Sequence, residues 1–446
     1  MKLSSIFCVS LLLGSSSAVP TGDHSLETRS KNYGADVGKH GDTRDFKHKC
    51  PFTVKPVPVH WKPVHHDIRW SQGCRDDGKF TNWRTFKANG ANLGGWLAKE
   101  RTHDPIWWTS LGSAAAATPD EWNLCQALGK SCGPILEERY KSFLNTSTID
   151  TLASIGINTL RITTTYAAWV NVPGSAFYHG NQQAHLRKIT NYAIKKYKMH
   201  IIIGLHSLPG GINNLDIGEA LFHDAWFYNT TNLDYSLKAV DKVLKFIENS
   251  GHKNAFTIAP INEASDNLAA FGSADGLSEK AAAWIMKYMD GVLTRVVAVD
   301  KRIPVMLQDS FKGASYWSPL FDANTNLVID SHVYFFAAAG TYSQYVSPAI
   351  CGQASYLGEE TKFPVFIGEW SLQTMYNNTL NVTKRKSIFD TQRYAWQKHV
   401  SGGAFWTAVS YSNTAVDGEG VQRDFWSLVD LIKAGVATEA TSYSYC

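Results

Sequence analysis

The chain has 446 residues, 44% hydrophobic and 18% charged, with 15 tryptophans, a globular composition able to bury a large core. Its formal charge of +4 is too small at this length for the basic stripe that nucleic-acid binding needs. No apolar run is long enough to cross a bilayer, so a membrane protein is excluded along with a nucleic-acid binder.

Residues 1–18 begin with Lys2, continue through Ile6-Phe7-Cys8-Val9 and Leu11-Leu12-Leu13, and end in small residues up to Ala18. That order reads as a secretory signal peptide, and predicts a secreted protein, extracellular or associated with a cell wall. Residues 19–49 are polar and poor in large aliphatics, and read as a disordered leader or pro-segment. Residues 50–446 read as one domain. It opens with an irregular extension rich in Pro, His and Trp, from Cys50 to about Asn82. His60, His65 and His66 lie there without a Cys or carboxylate set at a ligand spacing, so they read as surface packing and not as a metal site. Once Cys8 leaves with the signal, six cysteines remain in an oxidising compartment. Proximity in sequence pairs Cys50 with Cys74 and Cys125 with Cys132, and leaves Cys351 for Cys446. Asn145, Asn229, Asn377 and Asn381 each open an N-glycosylation acceptor pattern.

From Phe86 onward, short β-rich apolar runs ending in polar or glycine residues alternate with longer helix-like stretches. The strand candidates start at Phe86, Ile157, Met199, Ala255, Ile303, Asn326, Phe363 and Gly402. Between the fourth and fifth, Ile285, Met289, Val292, Val296 and Val299 share one helical face. The stretch from Ser236 ends at Gly251, placed as a helix C-terminal residue. Eight such strands predict an α/β fold, a (β/α)8 TIM barrel, with a doubly wound open sheet as the alternative. No glycine-rich phosphate loop favours the open sheet.

In such a barrel the C-terminal strand ends converge on the site. The residues there are Glu100, Arg161, His206, Asn262 with Glu263, Asp309, His332 with Tyr334, Glu369 and Trp406. Glu263 and Glu369 fall at the ends of the fourth and seventh strands. Two carboxyls facing each other across a mouth suit glycoside hydrolysis, where one protonates the leaving oxygen and the other attacks or activates water.

"GANLGGWLAKE", "GINTLRIT", "LHSLPGG", "DSHVY", "IGEWS" and "AFWTAVS" resemble the strand motifs of glycoside hydrolase family 5, and within it those of the fungal exo-β-1,3-glucanases. The resemblance covers about residues 86–430. It implies a retaining β-glucosidase-type hydrolase, with Glu263 as acid/base, Glu369 as nucleophile and carboxyl groups about 5 Å apart. It places Asn262 at the sugar 2-hydroxyl, Arg161 beside the nucleophile, His206 and His332 as sugar or carboxylate partners, and Tyr334 close to Glu369. It also implies Trp406 as the floor under the ring and Glu100 on the terminal glucose. A cation beside Glu369 favours its ionised form, and burial of Glu263 favours the protonated one. The expected partner is a β-glucan polysaccharide or oligosaccharide. The enzyme is expected to be a monomer with no metal and no organic cofactor, since two carboxyls cover the proton and covalent steps.

The sequence departs from that family at Ala264, where a proline usually follows the Asn-Glu pair. It departs again in "RTHDPIWW" after the first strand and in "MYNNTLNVTK" after the seventh. Loops of this kind build substrate subsites, so three readings stand. The first is an exo-β-1,3-glucanase releasing glucose, the second a β-1,6-glucanase or diglycosidase of the same family, and the third a catalytically inactive carbohydrate-binding protein.

Overall fold

The computed structural model describes residues 78–440 and 445–446. The signal peptide, the leader, the histidine-rich extension and the Cys50–Cys74 pairing lie outside the described residues. Eight strands form: β1 Ala88–Asn92, β2 Thr159–Thr164, β3 His200–Leu205, β4 Phe256–Ala259, β5 Val305–Gln308, β6 Leu327–His332, β7 Val365–Trp370 and β8 Gly402–Phe405. All pair in parallel with their chain neighbours, and β8 returns to β1 to close the barrel. Seven lie within the segments expected from sequence and β2 runs one residue past its own, to Thr164, and the open sheet is excluded.

One helix per crossover surrounds the strands: α1 Thr146–Ala153, α2 Gln182–Tyr197, α3 Thr230–Asn249, α4 Glu279–Asp300, α5 Ala314–Trp317, α6 Val346–Leu357, α7 Val382–His399 and α8 Leu428–Lys433. Further helices lie between β1 and α1. Ile285, Met289, Val292 and Val296 of α4 are buried, and Val299 at its end is half-buried, as the apolar periodicity requires. α3 stops at Gly251, whose φ of +75° a β-carbon would oppose. Asn145, Asn229 and Asn381 are the N-caps of α1, α3 and α7, each accepting a backbone N–H on its side-chain oxygen. These three and Asn377 are exposed, as glycan acceptors must be. Cys125 is bonded to Cys132 and Cys351 to Cys446.

The barrel interior changes character with height. Its floor is an apolar layer of Ala88, Ile202, Ala259, Met306, Val328, Phe366 and Ala404, sealed by Trp83. The Trp83 indole donates to Thr257 Oγ1 at 3.0 Å and meets the rings of His200 and Phe366 edge-on. Because alternate strand residues share a face, β6 climbs from Val328 in this floor through Asp330 to His332 at the mouth. The register of β6 against β7 shifts after Ser331, and this sets His332 opposite Glu369.

The closing seam depends on Gly402. Its φ is +89°, and a β-carbon there would collide with the Ala88 backbone of β1. Gly402→Ala is therefore expected to cost about 2 kcal/mol or more of stability, seen as a lower urea midpoint with an unchanged slope.

Candidate active site

At the C-terminal mouth, the buried guanidinium of Arg161 organises the polar side chains. Arg161 sits in β2 with no measurable exposure. Its Nη1 donates to Glu369 Oε1 at 2.8 Å and to Asn92 Oδ1 at 3.0 Å, and its Nη2 donates to Asn262 Oδ1 at 2.8 Å. Asp330 Oδ2 lies 3.4 Å from Nη2. Residues from β1, β2, β6 and β7 and the one after β4 thus meet on one cation. The glycine before Glu369 is required by the same packing, because a β-carbon at Gly368 would collide with the Asp330 carboxylate.

Glu369 also accepts the Tyr334 hydroxyl on Oε2 at 2.8 Å, and His206 Nε2 lies 3.5 Å from its Oε1. Burial by itself would raise the Glu369 carboxyl, but the charges of His332 and Arg161 and the bond from His206 outweigh it and hold the group well below the usual carboxylate range. Tyr334 is driven the other way, by burial and then by the neighbouring carboxylate charges, so it remains a phenol donor.

Glu263 follows β4 and is 6% exposed. Its Oε1 accepts from His332 Nδ1 at 2.7 Å. Burial opposes a charge on His332, and Arg161 Nη2 lies 3.3 Å from its Nε2, yet Glu369, Asp330 and Glu263 together push it up to about 10, favouring the charged form. Asn262 is held through its oxygen, while its buried Nδ2 has no protein partner and is free to donate to a ligand. Glu263, His332 and Glu369 offer donor atoms within 4.8 Å of one another. One oxygen of each carboxyl thus lies within 4.8 Å of the other, a close approach of the kind double displacement uses and shorter than the gap of about 6.5–9.5 Å that leaves room for an inverting water. As a metal set the trio fits poorly, since a cation would have to displace the imidazolium and the guanidinium already on those oxygens.

Trp406 follows β8 with its ring parallel to His206 at 5.6 Å, and its indole donates to His103 Nε2 at 2.8 Å. Glu100 Oε2 lies 3.4 Å from the same nitrogen, and its buried Oε1 is unpartnered. Glu100 and His206 border a recess with Thr165, Phe177, Ser207 and Asp216. Burial, then the charges of Glu100 and Asp120, push Asp216 up to about 7.

Nine of the ten strand-end residues expected from sequence therefore lie in one connected constellation. Asp309 is the exception among the strand-end polar groups: it turns to the Ser331 hydroxyl and the Phe311 N–H and braces a loop. Two residues on the central cation, Asn92 and Asp330, were not singled out, although both lie inside the quoted motifs. Asp330 shares its face with His332 two positions on, and a carboxylate pointing into a barrel needs a cation there.

The linkage has a defined sign. The folded value of His332 is above its unfolded value near 6.5, so its stabilisation is complete below about pH 6.5 and fades as pH rises towards 10. His332→Gln is expected to lose that decline, flattening the melting temperature between pH 7 and pH 10 relative to wild type.

Residues 129–412 match the family described as cellulase (glycosyl hydrolase family 5). The crystal structure of rutinosidase from Aspergillus niger is 45% identical, covers 81% of this chain and 100% of that chain, and superposes with a TM-score of 0.78. A probable glucan 1,3-beta-glucosidase A of Aspergillus niger is 28% identical over 294 residues, 65% of this chain and 66% of the relative. Glucan 1,3-beta-glucosidase 1 of Schizosaccharomyces pombe is 25% identical over 298 residues, 65% of this chain and 69% of the relative. The chain thus spans about two thirds of these curated relatives, and all of the rutinosidase. The closed barrel and the family match over residues 129–412 lead to one conclusion: the chain belongs to glycoside hydrolase family 5 and is a glycoside hydrolase.

Proposed function

We propose that this enzyme is a β-diglycosidase of the rutinosidase type, releasing an intact disaccharide from an aglycone. The observation that carries this is the 45% identity along the entire rutinosidase chain, against 28% over about two thirds of the glucan glucosidase. The site agrees with it on both sides of the scissile bond. On the Glu100 side, the buried Glu100 Oε1 and Ser207 Oγ have no protein partners, hydrogen-bonding capacity that hydroxyls of a second sugar would satisfy. Beyond Glu263, the loops after β4 and β5 carry Phe271 and Phe311, packed edge-on with ring centroids 5.5 Å apart, aromatic surface of the kind that favours a planar leaving group. The two disulfides and the signal-like leader fit a secreted enzyme.

In this reading Glu369, kept ionised by Arg161 and His332, attacks the anomeric carbon as Glu263 gives its proton to the departing oxygen. A covalent glycosyl ester and the free aglycone result. Glu263, now ionised, takes a proton from water, which attacks the same carbon and frees Glu369 with the β configuration retained. His332 binds Glu263 Oε1, leaving Oε2 as the oxygen that carries the proton. Asn262 Nδ2 donates to the 2-hydroxyl, and Trp406 lies under the ring.

A second reading, an exo-β-1,3-glucosidase, is favoured by the names of the curated relatives. Incubation with a flavonol β-rutinoside, laminarin and pustulan separates the two. The diglycosidase reading expects intact rutinose with the β-anomer formed first by NMR, and glucose release from laminarin alone would replace it with the second reading. Glu369→Ala is expected to lower kcat by several orders of magnitude on whichever substrate is turned over. Unchanged turnover would remove it as the nucleophile.

A further inference from the structure

Glu263 occupies a backbone conformation that a residue with a β-carbon avoids. Its φ is +45°, in the left-handed region where non-glycine residues are strained and persist only when their surroundings hold them. Ala264 follows, and it lacks the ring by which a proline restricts the residue before it. Hydrogen bonds to the peptide groups of Glu263 hold it instead. Its N–H donates to Gln308 Oε1 at 2.9 Å, and its carbonyl accepts from Asn213 Nδ2 at 3.1 Å.

Both clamping side chains are themselves fixed. Gln308 ends β5 and is 1% exposed, and Asn213 follows β3 with no measurable exposure. The same Gln308 oxygen accepts the Ser310 N–H at 2.9 Å, and Ser310 also has positive φ, +48°. Asn213 Oδ1 accepts the Leu215 N–H at 3.1 Å. One amide oxygen therefore ties two strained residues on neighbouring strand ends, while a second amide holds the far side of the Glu263 peptide.

We infer that Gln308 and Asn213 are positioning residues for the acid/base step, aiming the Glu263 carboxyl by clamping its backbone on both sides. His332 fixes the tip of the side chain and the two amides fix its root. The inference rests on the acid/base role proposed for Glu263. It has a distinctive consequence. General-acid assistance matters most when the leaving group is basic and least when it departs readily as an anion, so a misaimed acid costs rate selectively.

The test uses aryl β-rutinosides and aryl β-glucosides bearing 2,4-dinitrophenol, 4-nitrophenol and phenol, with Gln308→Ala, Asn213→Asp and Glu263→Ala beside wild type. Asn213→Asp keeps the acceptor for Leu215 and replaces the donor to Glu263 by a carboxylate oxygen that repels the Glu263 carbonyl, a second and independent break of the clamp should Gln308→Ala fail to fold. Each clamp variant is expected to lose about tenfold or more in kcat/KM on the phenyl glycoside and less than about threefold on the dinitrophenyl one. Azide should accelerate turnover of the dinitrophenyl glycoside by Glu263→Ala. A clamp variant that loses rate equally on all three leaving groups, or loses none, overturns the inference while leaving Glu263 its role. Equal loss by Glu263→Ala on all three overturns both.

Discussion

A guanidinium without water inside a barrel is the constraint around which this site is built. Burying such a charge alone is prohibitive, and it becomes tolerable only where partners and hydrogen bonds surround it. Arg161 obtains them from the Glu369 and Asp330 carboxylates and the amide oxygens of Asn92 and Asn262. The arrangement has chemical consequences. With His332, the cation keeps Glu369 ionised against its burial, and it holds Asn262 by its oxygen, leaving the buried Nδ2 without a protein partner. His332 is charged for the same reason, since Asp330 and Glu369 leave net negative charge that one arginine does not neutralise. Removing any member leaves another buried charge uncompensated, so the cluster acts as a unit and single substitutions should not add.

The two glutamates are held by different means. Glu369 lies within β7, and its direction is set by strand register, the shift in pairing between β6 and β7, and a glycine that admits Asp330. Glu263 lies just beyond β4, at the start of a loop, and a strained backbone must be held by groups from other strand ends. The chemistry is thereby placed on the rigid part of the fold, while recognition of what flanks the scissile bond falls to loops. This division lets one barrel serve many substrates. Ala264 stands at the junction, where the clamped backbone of Glu263 ends and the loop after β4 begins.

Much of this was legible in the residues. Parallel strands buried on both faces read as short apolar runs, so all eight strands were located from Phe86 onward, and the polar groups at their ends named the site. Glu263, His206, His332, Tyr334 and Trp406 were visible because each is a polar or aromatic residue at or just beyond the end of an apolar strand, whereas Arg161 and Glu369, inside β2 and β7, were assigned their roles by the family resemblance. Asn92, the last residue of β1, and Asp330, inside β6, were less visible because inward and outward positions differ only in register. Asp309 read as an equal member of the ring, yet one residue of difference in where β5 ends turned it to a loop and left Gln308 facing Glu263.

The sequence by itself determined the barrel and the pair of carboxyls, because periodicity and strand-end polarity are local properties that survive without coordinates. The tertiary structure alone decided the roles around them. Whether an amide clamps a backbone, whether a histidine carries a proton, and which oxygen of Glu263 is left for the substrate all depend on groups far apart in the chain. Asn213, Glu263 and Gln308 are separated by about fifty residues at each step, and only closure of the barrel brings them within hydrogen-bonding distance.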